Sequence, residues 1–138
     1  LPAPPDPKEA EELAQIVAPL AEAGVDLFHC STRRYWEPAF EGSDLGLAAW
    51  VRRLSGKPTI AVGSVTLGND FKSALGKQEA AASPEQVDDL ERRLQAGEFD
   101  LVAVGRALLA NADWAQRVES GRAASLRPFS RAHLDTLY

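Results

Sequence analysis

The chain has 138 residues, of which 45% are hydrophobic and 25% are charged, and its formal net charge is −5. Both signs of charge are interspersed, so the sequence lacks the basic patch or stripe that marks a nucleic-acid-binding surface. Its one cysteine, Cys30, excludes an internal disulfide and a cysteine-rich metal or iron–sulfur site, and we predict no metal. No apolar run approaches the roughly 18 residues of a membrane span and no leader is visible, so we expect a cytoplasmic protein that binds no membrane.

The first elements along the chain are a connector, a helix and a strand. Residues 1–7 contain four prolines, which do not hold regular structure, and we interpret them as a connector. Apolar residues then recur at helical spacing until Gly24, and Pro19 inside this pattern predicts a kink. A short apolar run over residues 25–30 predicts the first strand.

A second helix and a second strand follow a long loop. Residues 31–44 are too many for a simple connection, and loops of this length in compact domains are often lids or binding loops. Ser43 or Asp44 can cap the next helix, which Gly56 ends. Residues 58–62 then predict the second strand, and the next polar, alanine-rich stretch up to residue 83 predicts a variable insertion.

The third helix and strand complete the repeat. Ser83, Pro84 and Gln86 match a helix cap, a first-turn proline and a capping-box partner. Residues 101–104 form a short continuous apolar run, which is typical of a parallel strand covered by helices. Another helix is predicted to begin at residues 111–114. Strands separated by helical patterns predict an α/β fold with a parallel sheet of about three βα units.

The chain ends on a short helical segment. Ser130 can cap a final helix that runs to Tyr138. His133 in this segment has no partner that the sequence shows. His29 and Cys30 lie in the first apolar strand, where a core histidine and a small buried hydrophobe are commoner than a catalyst or a nucleophile.

Four segments resemble the old yellow enzyme family, the FMN-dependent ene-reductases built on a TIM (β/α)8 barrel, and they occur in the same order as in that family. Residues 58–65 and 99–114 resemble the last two strands of that barrel with their turns. Residues 25–38 resemble the strand and long loop before them, and residues 127–138 resemble the tail after the barrel. A whole barrel needs about 250 residues, and residue 1 is Leu in a sequence without Met. We therefore expect residues 1–138 to be the C-terminal part of one FMN-binding domain.

Two turns that follow neighbouring strands predict a phosphate site. Gly63 and Ser64 follow one strand and Gly105 and Arg106 follow the next, and in TIM barrels the loops after the last two strands often bind phosphate. A guanidinium clamps phosphate with two donors, and a serine hydroxyl adds another. By the resemblance, these four residues match those that hold the FMN phosphate. The alternative is that each glycine only permits a tight turn.

The loop after the first strand carries candidate lid residues. Arg33, Arg34, Tyr35 and Trp36 lie on the same side as the two turns, where aromatic rings could cover a flavin or a planar substrate. We expect residues 31–42 to form this lid. The alternative is that the two rings pack the loop against the barrel rim while the arginines are solvated.

The resemblance implies an NAD(P)H-dependent oxidoreductase. In the family, FMN takes hydride from NADH or NADPH and reduces an activated alkene. No catalytic residue is assigned, because the groups that bind the substrate carbonyl and donate the proton lie in earlier strands and loops of the family. The alternatives are a non-catalytic chain that folds only with a partner, and a phosphate-binding barrel without flavin. We expect the isolated chain to self-associate or to need a missing N-terminal half, and to be inactive towards enones.

Overall fold

A computed structural model describes residues 7–68 and 79–135 of the chain. The predicted connector therefore falls almost entirely outside the described residues, as does the middle of the predicted insertion. In chain order the helices and strands are α1 (Pro7–Glu22), β1 (Phe28–Ser31), α2 (Leu47–Ser55), β2 (Thr59–Val62), β3 (Glu79–Ala80), α3 (Gln86–Gln95), β4 (Leu101–Val102), α4 (Arg106–Ala110), α5 (Trp114–Glu119) and β5 (Phe129–Ser130). Short 3-10 helices lie at Ala123–Ser125, before β5, and at Arg131–Leu134, after it.

Strands β1, β2 and β4 form a parallel sheet in that order. Phe28 lies opposite Thr59, and Ile60 lies opposite Leu101. Helix α2 connects the first two strands and helix α3 lies between the second and the third, which is the βαβ pattern of parallel sheets. The predicted α/β fold with parallel strands alternating with helices is confirmed.

One face of this sheet carries the main core. Cys30 and Ala61 are paired across β1 and β2, and only 6% and 4% of their surfaces are exposed. Val17 of α1 and Val51 of α2 join them in one buried cluster. The helices therefore bury alternate residues of each strand, as a sheet that is covered on one face requires.

The opposite face of the sheet is exposed. His29, Ile60 and Leu101 are neighbours across the three strands, and 54% of the Leu101 surface is accessible. His29, for which the sequence favours a core or a supporting position over a catalytic one, lies on this exposed face and outside the buried core of the described residues. Within the described residues, β1 and β4 each pair on one side only, so the sheet has two free edges.

We expect a polypeptide of these 138 residues to self-associate, because free strand edges and an exposed apolar face both promote pairing with another chain. Leu101→Lys should raise the monomer fraction in size exclusion with light scattering. Leu108→Lys is the matched control, since Leu108 is also an exposed leucine but lies on α4. A monodisperse monomer of the unaltered polypeptide at micromolar concentration would contradict this expectation.

A second, small sheet ties the end of the chain to the predicted insertion. Strands β3 and β5 are antiparallel, and Ala80 lies opposite Phe129. Phe129 is 4% exposed and packs with Leu67 and with two alanines of α4, Ala107 and Ala110. The sequence analysis missed this pairing, because strands of two residues leave almost no periodic pattern.

A buried asparagine fastens the tail to α4. Asn111 has no exposed surface, and its Nδ2 donates to the carbonyl oxygens of Ala107 and Arg127, each at 3.0 Å. Its Oδ1 accepts the Arg127 N–H at 2.8 Å. One side chain thus satisfies three backbone groups and joins the tail to the end of the helix.

Asn111→Ala should lower the free energy of unfolding by about 2–3 kcal/mol, because it removes three side-chain hydrogen bonds of about 1 kcal/mol each, two of which hold the tail. Urea denaturation measures this change. Gln116→Ala is the control, since Gln116 is exposed on α5, and it should change stability by less than about 0.5 kcal/mol. Equal midpoints for the two variants would show that the tail is not held by Asn111.

Several predicted boundaries change in the structure. Helix α1 continues through Pro19 from Pro7 to Glu22. Helix α5 begins at Trp114, where the sequence predicts a helix start, and α4 is an additional short helix before it. The final segment is capped by Ser130 as predicted, but it is a 3-10 turn within the described residues. His133 has a partner there, because its Nδ1 accepts the Ser130 N–H at 2.9 Å.

Candidate functional site

A cavity of about 450 Å³ lies beyond the carboxyl ends of β1, β2 and β4. Ligands of open parallel sheets bind at these strand ends. The volume falls within the range of about 300–1,000 Å³ that small-molecule sites occupy. The cavity is lined by Ser31, Thr32, Arg33, Val62, Gly63, Ser64, Val65, Leu67, Ala103, Gly105 and Arg106.

The turn after β2 packs closely against the loop after β1. Gly63 has a φ of +143°, and a Cβ at this position would lie 2.6 Å from both the carbonyl oxygen and Oγ1 of Thr32. The Gly63 carbonyl accepts the Tyr35 N–H at 3.0 Å. Only glycine fits both the backbone conformation and the close approach, so this residue is required even without a ligand.

Gly63→Ala should lower the free energy of unfolding by about 2–4 kcal/mol, because it adds a steric clash to an unfavourable φ. Gly24→Ala separates the two effects, since Gly24 also has a positive φ, of +105°, but has nothing within 4 Å of an added Cβ. It should cost only about 1 kcal/mol. Thermal or urea denaturation measures the stability of both variants. Equal losses of stability would mean that Thr32 moves away from the added Cβ at no cost.

Arg106 reaches across from the next strand to the same turn. It is the first residue of α4, and its Nη2 lies 3.3 Å from Ser64 Oγ. Its guanidinium carbon is 5.7 Å from the centre of the Phe129 ring, a cation–π distance. Nothing lies within 4 Å of a Cβ built on Gly105, so the backbone there borders open space.

The structure therefore brings the four predicted phosphate-site residues to one cavity. Gly63, Ser64, Gly105 and Arg106 all line it, together with Arg33. Among the described lining residues there are two arginines and no carboxylate. This composition favours an anion. That the anion is the FMN phosphate stays a prediction.

The four candidate lid residues are placed differently from one another. Arg33 lines the cavity, whereas Arg34 pairs with Glu37 at 2.7 Å. Tyr35 is 5% exposed and belongs to the core cluster, and Trp36 packs edge-on against it with ring centres 5.2 Å apart. For the two rings, this placement matches the alternative in which they pack the loop against the fold.

Tyr35 fastens the loop to α3. Its hydroxyl donates to Asp89 Oδ2 at 2.8 Å, and the guanidinium of Arg93 lies 5.9 Å from its ring centre. Burial and the hydrogen bond to Asp89 raise the pKa of Tyr35 above its ordinary value. The phenol is thus a neutral donor at neutral pH, and its position inside the core keeps it away from the cavity.

The single cysteine has the properties of a core residue. Burial raises the pKa of the Cys30 thiol to about 11, so the thiolate that a nucleophile requires is not populated at neutral pH.

In the described ranges no group of three or more histidine, cysteine or acidic residues could hold a metal ion. No helix in the same ranges is long and apolar enough to cross a bilayer.

Comparison with known proteins yields distant likenesses among solved structures only. No family model matches the sequence, and no curated protein matches it. Among solved structures the chain is similar to morphinone reductase, with 21% sequence identity and a TM-score of 0.47. The match covers 84% of this chain and 25% of that chain, so this chain spans about a quarter of its length. A likeness of this size assigns neither a family nor a function.

Two residues that the sequence does not assign to the site contact the turn after β2. Gln86 and Trp114 both bond to Thr66, whose φ is +58°. The sequence predicts Gln86 to be a capping-box partner, yet no side-chain hydrogen bond caps α3. A polar residue at a helix start gives no sequence signal that distinguishes capping from a contact with a distant turn.

Proposed function

We propose that this chain binds the phosphate of FMN and forms the C-terminal part of an NAD(P)H-dependent oxidoreductase of the old yellow enzyme type. The observation that carries the proposal is the convergence of the two strand-end turns. Arg106 lies 3.3 Å from Ser64, and both line one cavity with Gly63 and Gly105. The sequence resemblance supplies the identity of the ligand, and the geometry supplies a place for its anionic end.

The residues present fit a phosphate monoester. The Arg106 guanidinium supplies charged donors with the planar geometry that matches phosphate oxygens. The neutral Ser64 hydroxyl lies beside this guanidinium, with Oγ 3.3 Å from Arg106 Nη2. The open space next to Gly105 allows a ligand to approach the backbone closely. Arg33 on the facing loop adds a second positive charge at the cavity.

FMN, when bound, supplies hydride transfer from a nicotinamide to an activated alkene. This chain's own residues bind and orient the phosphate end. In the proposed enzyme, the exposed sheet face around His29, Ile60 and Leu101 is covered by further barrel strands. The groups that contact the alkene are expected outside this chain, so no described residue receives a catalytic role.

We expect the chain to bind FMN more tightly than riboflavin, which is the same flavin without the phosphate. Charge-assisted hydrogen bonds of about 1.5–3 kcal/mol correspond to a preference of roughly 10- to 100-fold. Arg106→Ala should remove most of this preference by weakening FMN binding alone. Flavin fluorescence titration measures the affinities of the unaltered chain and of Arg106→Ala for FMN and for riboflavin. The preference should grow as pH rises through about 6, where the phosphate monoester becomes a dianion.

Arg122→Ala is the control, because Arg122 is an exposed arginine that does not line the cavity. It should leave the preference unchanged. Equal binding of FMN and riboflavin by the unaltered chain would contradict the proposal. Tight binding of inorganic phosphate without any binding of FMN would instead favour a phosphate-binding barrel without flavin.

A further inference from the structure

Thr66 sits at the centre of the turn after β2 and is held from three directions. It is 1% exposed, and its N–H donates to Gln86 Oε1 at 2.6 Å. Its Oγ1 accepts the indole N–H of Trp114 at 3.0 Å. Its carbonyl oxygen accepts the Ser83 N–H at 2.8 Å. Elements from two later parts of the chain therefore converge on one residue that does not line the cavity.

The Gln86 side chain uses both ends of its amide in this contact. While Oε1 accepts from Thr66, Nε2 donates to the carbonyl oxygen of Leu67 at 2.8 Å. Gln86 is the first residue of α3, so the bond runs from the helix start to the turn. The two amide contacts reproduce the donor and acceptor pattern of a paired strand. The bond from Nε2 holds the backbone of Leu67, which does line the cavity.

The turn needs such restraint because its backbone is unusual. Ser64 has a φ of +51° and Thr66 has a φ of +58°. Few non-glycine residues adopt the left-handed region, and for a β-branched residue such as threonine it is a clear outlier. Conformations of this kind persist only where the surrounding structure determines them, and they cluster at ligand sites.

We propose that Gln86 and Trp114 are positioning residues for the anion site, and that they set residues 63–67 in the conformation that receives the phosphate. They act through Thr66 and touch no ligand. The inference rests on the proposed function for the identity of the ligand. It differs from that function in assigning the shape of the turn to side chains of α3 and α5.

The test compares Gln86→Leu, which removes both amide contacts at similar volume, with Gln95→Leu on the same helix. Gln95 is exposed and bonds only to Glu91 across one helical turn, so it is a matched control. Gln86→Leu should weaken FMN binding at least about ten-fold, since a donor displaced by about 1 Å loses its alignment. Riboflavin binding and the far-ultraviolet circular dichroism of the folded chain should be unchanged. Gln95→Leu should match the unaltered protein.

Trp114→Phe is the milder second variant, which keeps an aromatic ring against the two core clusters but loses the N–H donor to Thr66 and part of the ring volume. It should weaken FMN binding in the same direction and by a smaller factor. We expect Trp114→Phe to fold, so it can be measured even if Gln86→Leu is too unstable to purify. Unchanged FMN affinity in Trp114→Phe and in any folded Gln86 variant would overturn the inference and leave the proposed function standing.

Gln86→Glu tests the hydrogen bonds through the pH dependence of FMN affinity, which a loss of packing would not change. At neutral pH the introduced carboxylate can accept the Thr66 N–H but repels the Leu67 carbonyl. When protonated, near a pKa of about 4–5, it can donate to Leu67 as the amide does. Its FMN affinity relative to the unaltered chain at each pH should therefore recover as pH falls. No recovery would count against the proposed hydrogen-bonding role.

Hydrogen exchange separates failure of this inference from failure of the proposed function. The Leu67 N–H donates to the Ser64 carbonyl at 3.0 Å inside the turn, and its exchange is measured without any ligand. Faster exchange in Gln86→Leu, with slow exchange in Gln95→Leu, supports the positioning of the turn even if FMN does not bind. Equal exchange in the two variants overturns it whatever the chain binds.

Discussion

The close contact between Gly63 and the loop after β1 is the constraint on which the site depends. Because no side chain fits between Gly63 and Thr32, the two segments touch through their backbones. The Ser64 hydroxyl then donates to the Arg33 carbonyl at 2.9 Å, and Arg106 approaches the same hydroxyl from β4. A loop and two turns from separate βα units are thereby joined at one end of the sheet, where parallel topology places all three strand termini.

Local features of the fold were predictable because their signals lie within a few residues. A glycine directly after an apolar run marks the end of a strand, and Arg106 next to Gly105 places a cation at that end. The same reasoning could not find β3 and β5, because Ala80 and Phe129 are paired across almost fifty positions with no periodic pattern. It also could not find the contact from Gln86 to Thr66, since the direction of a polar side chain depends on tertiary neighbours.

The loop between β1 and α2, residues 32–46, shows how much of a functional role can be predicted from sequence. Arginines and aromatic rings in a long loop are compatible both with a cover over a ligand and with packing. The structure divides them, since Arg33 lines the cavity while Tyr35 is buried against α3. The Phe40 and Trp50 rings, 5.6 Å apart, hold a later part of the loop against α2. Burial of an aromatic ring depends on surfaces that lie far away in sequence, so composition alone could not make this division.

The backbone segments on either side of residues 69–78 are hydrogen-bonded to each other. Gly68 donates its N–H to the Ala81 carbonyl at 2.9 Å, and Leu67 bridges to Ala82, so residues 69–78 connect two positions that are already adjacent. The entropic cost of closing such a connection grows slowly with its length, by about 0.6 kcal/mol for each doubling. The separation of Gly68 and Ala81 is therefore set by their backbone contact, and the closure term would change little with the number of residues between them.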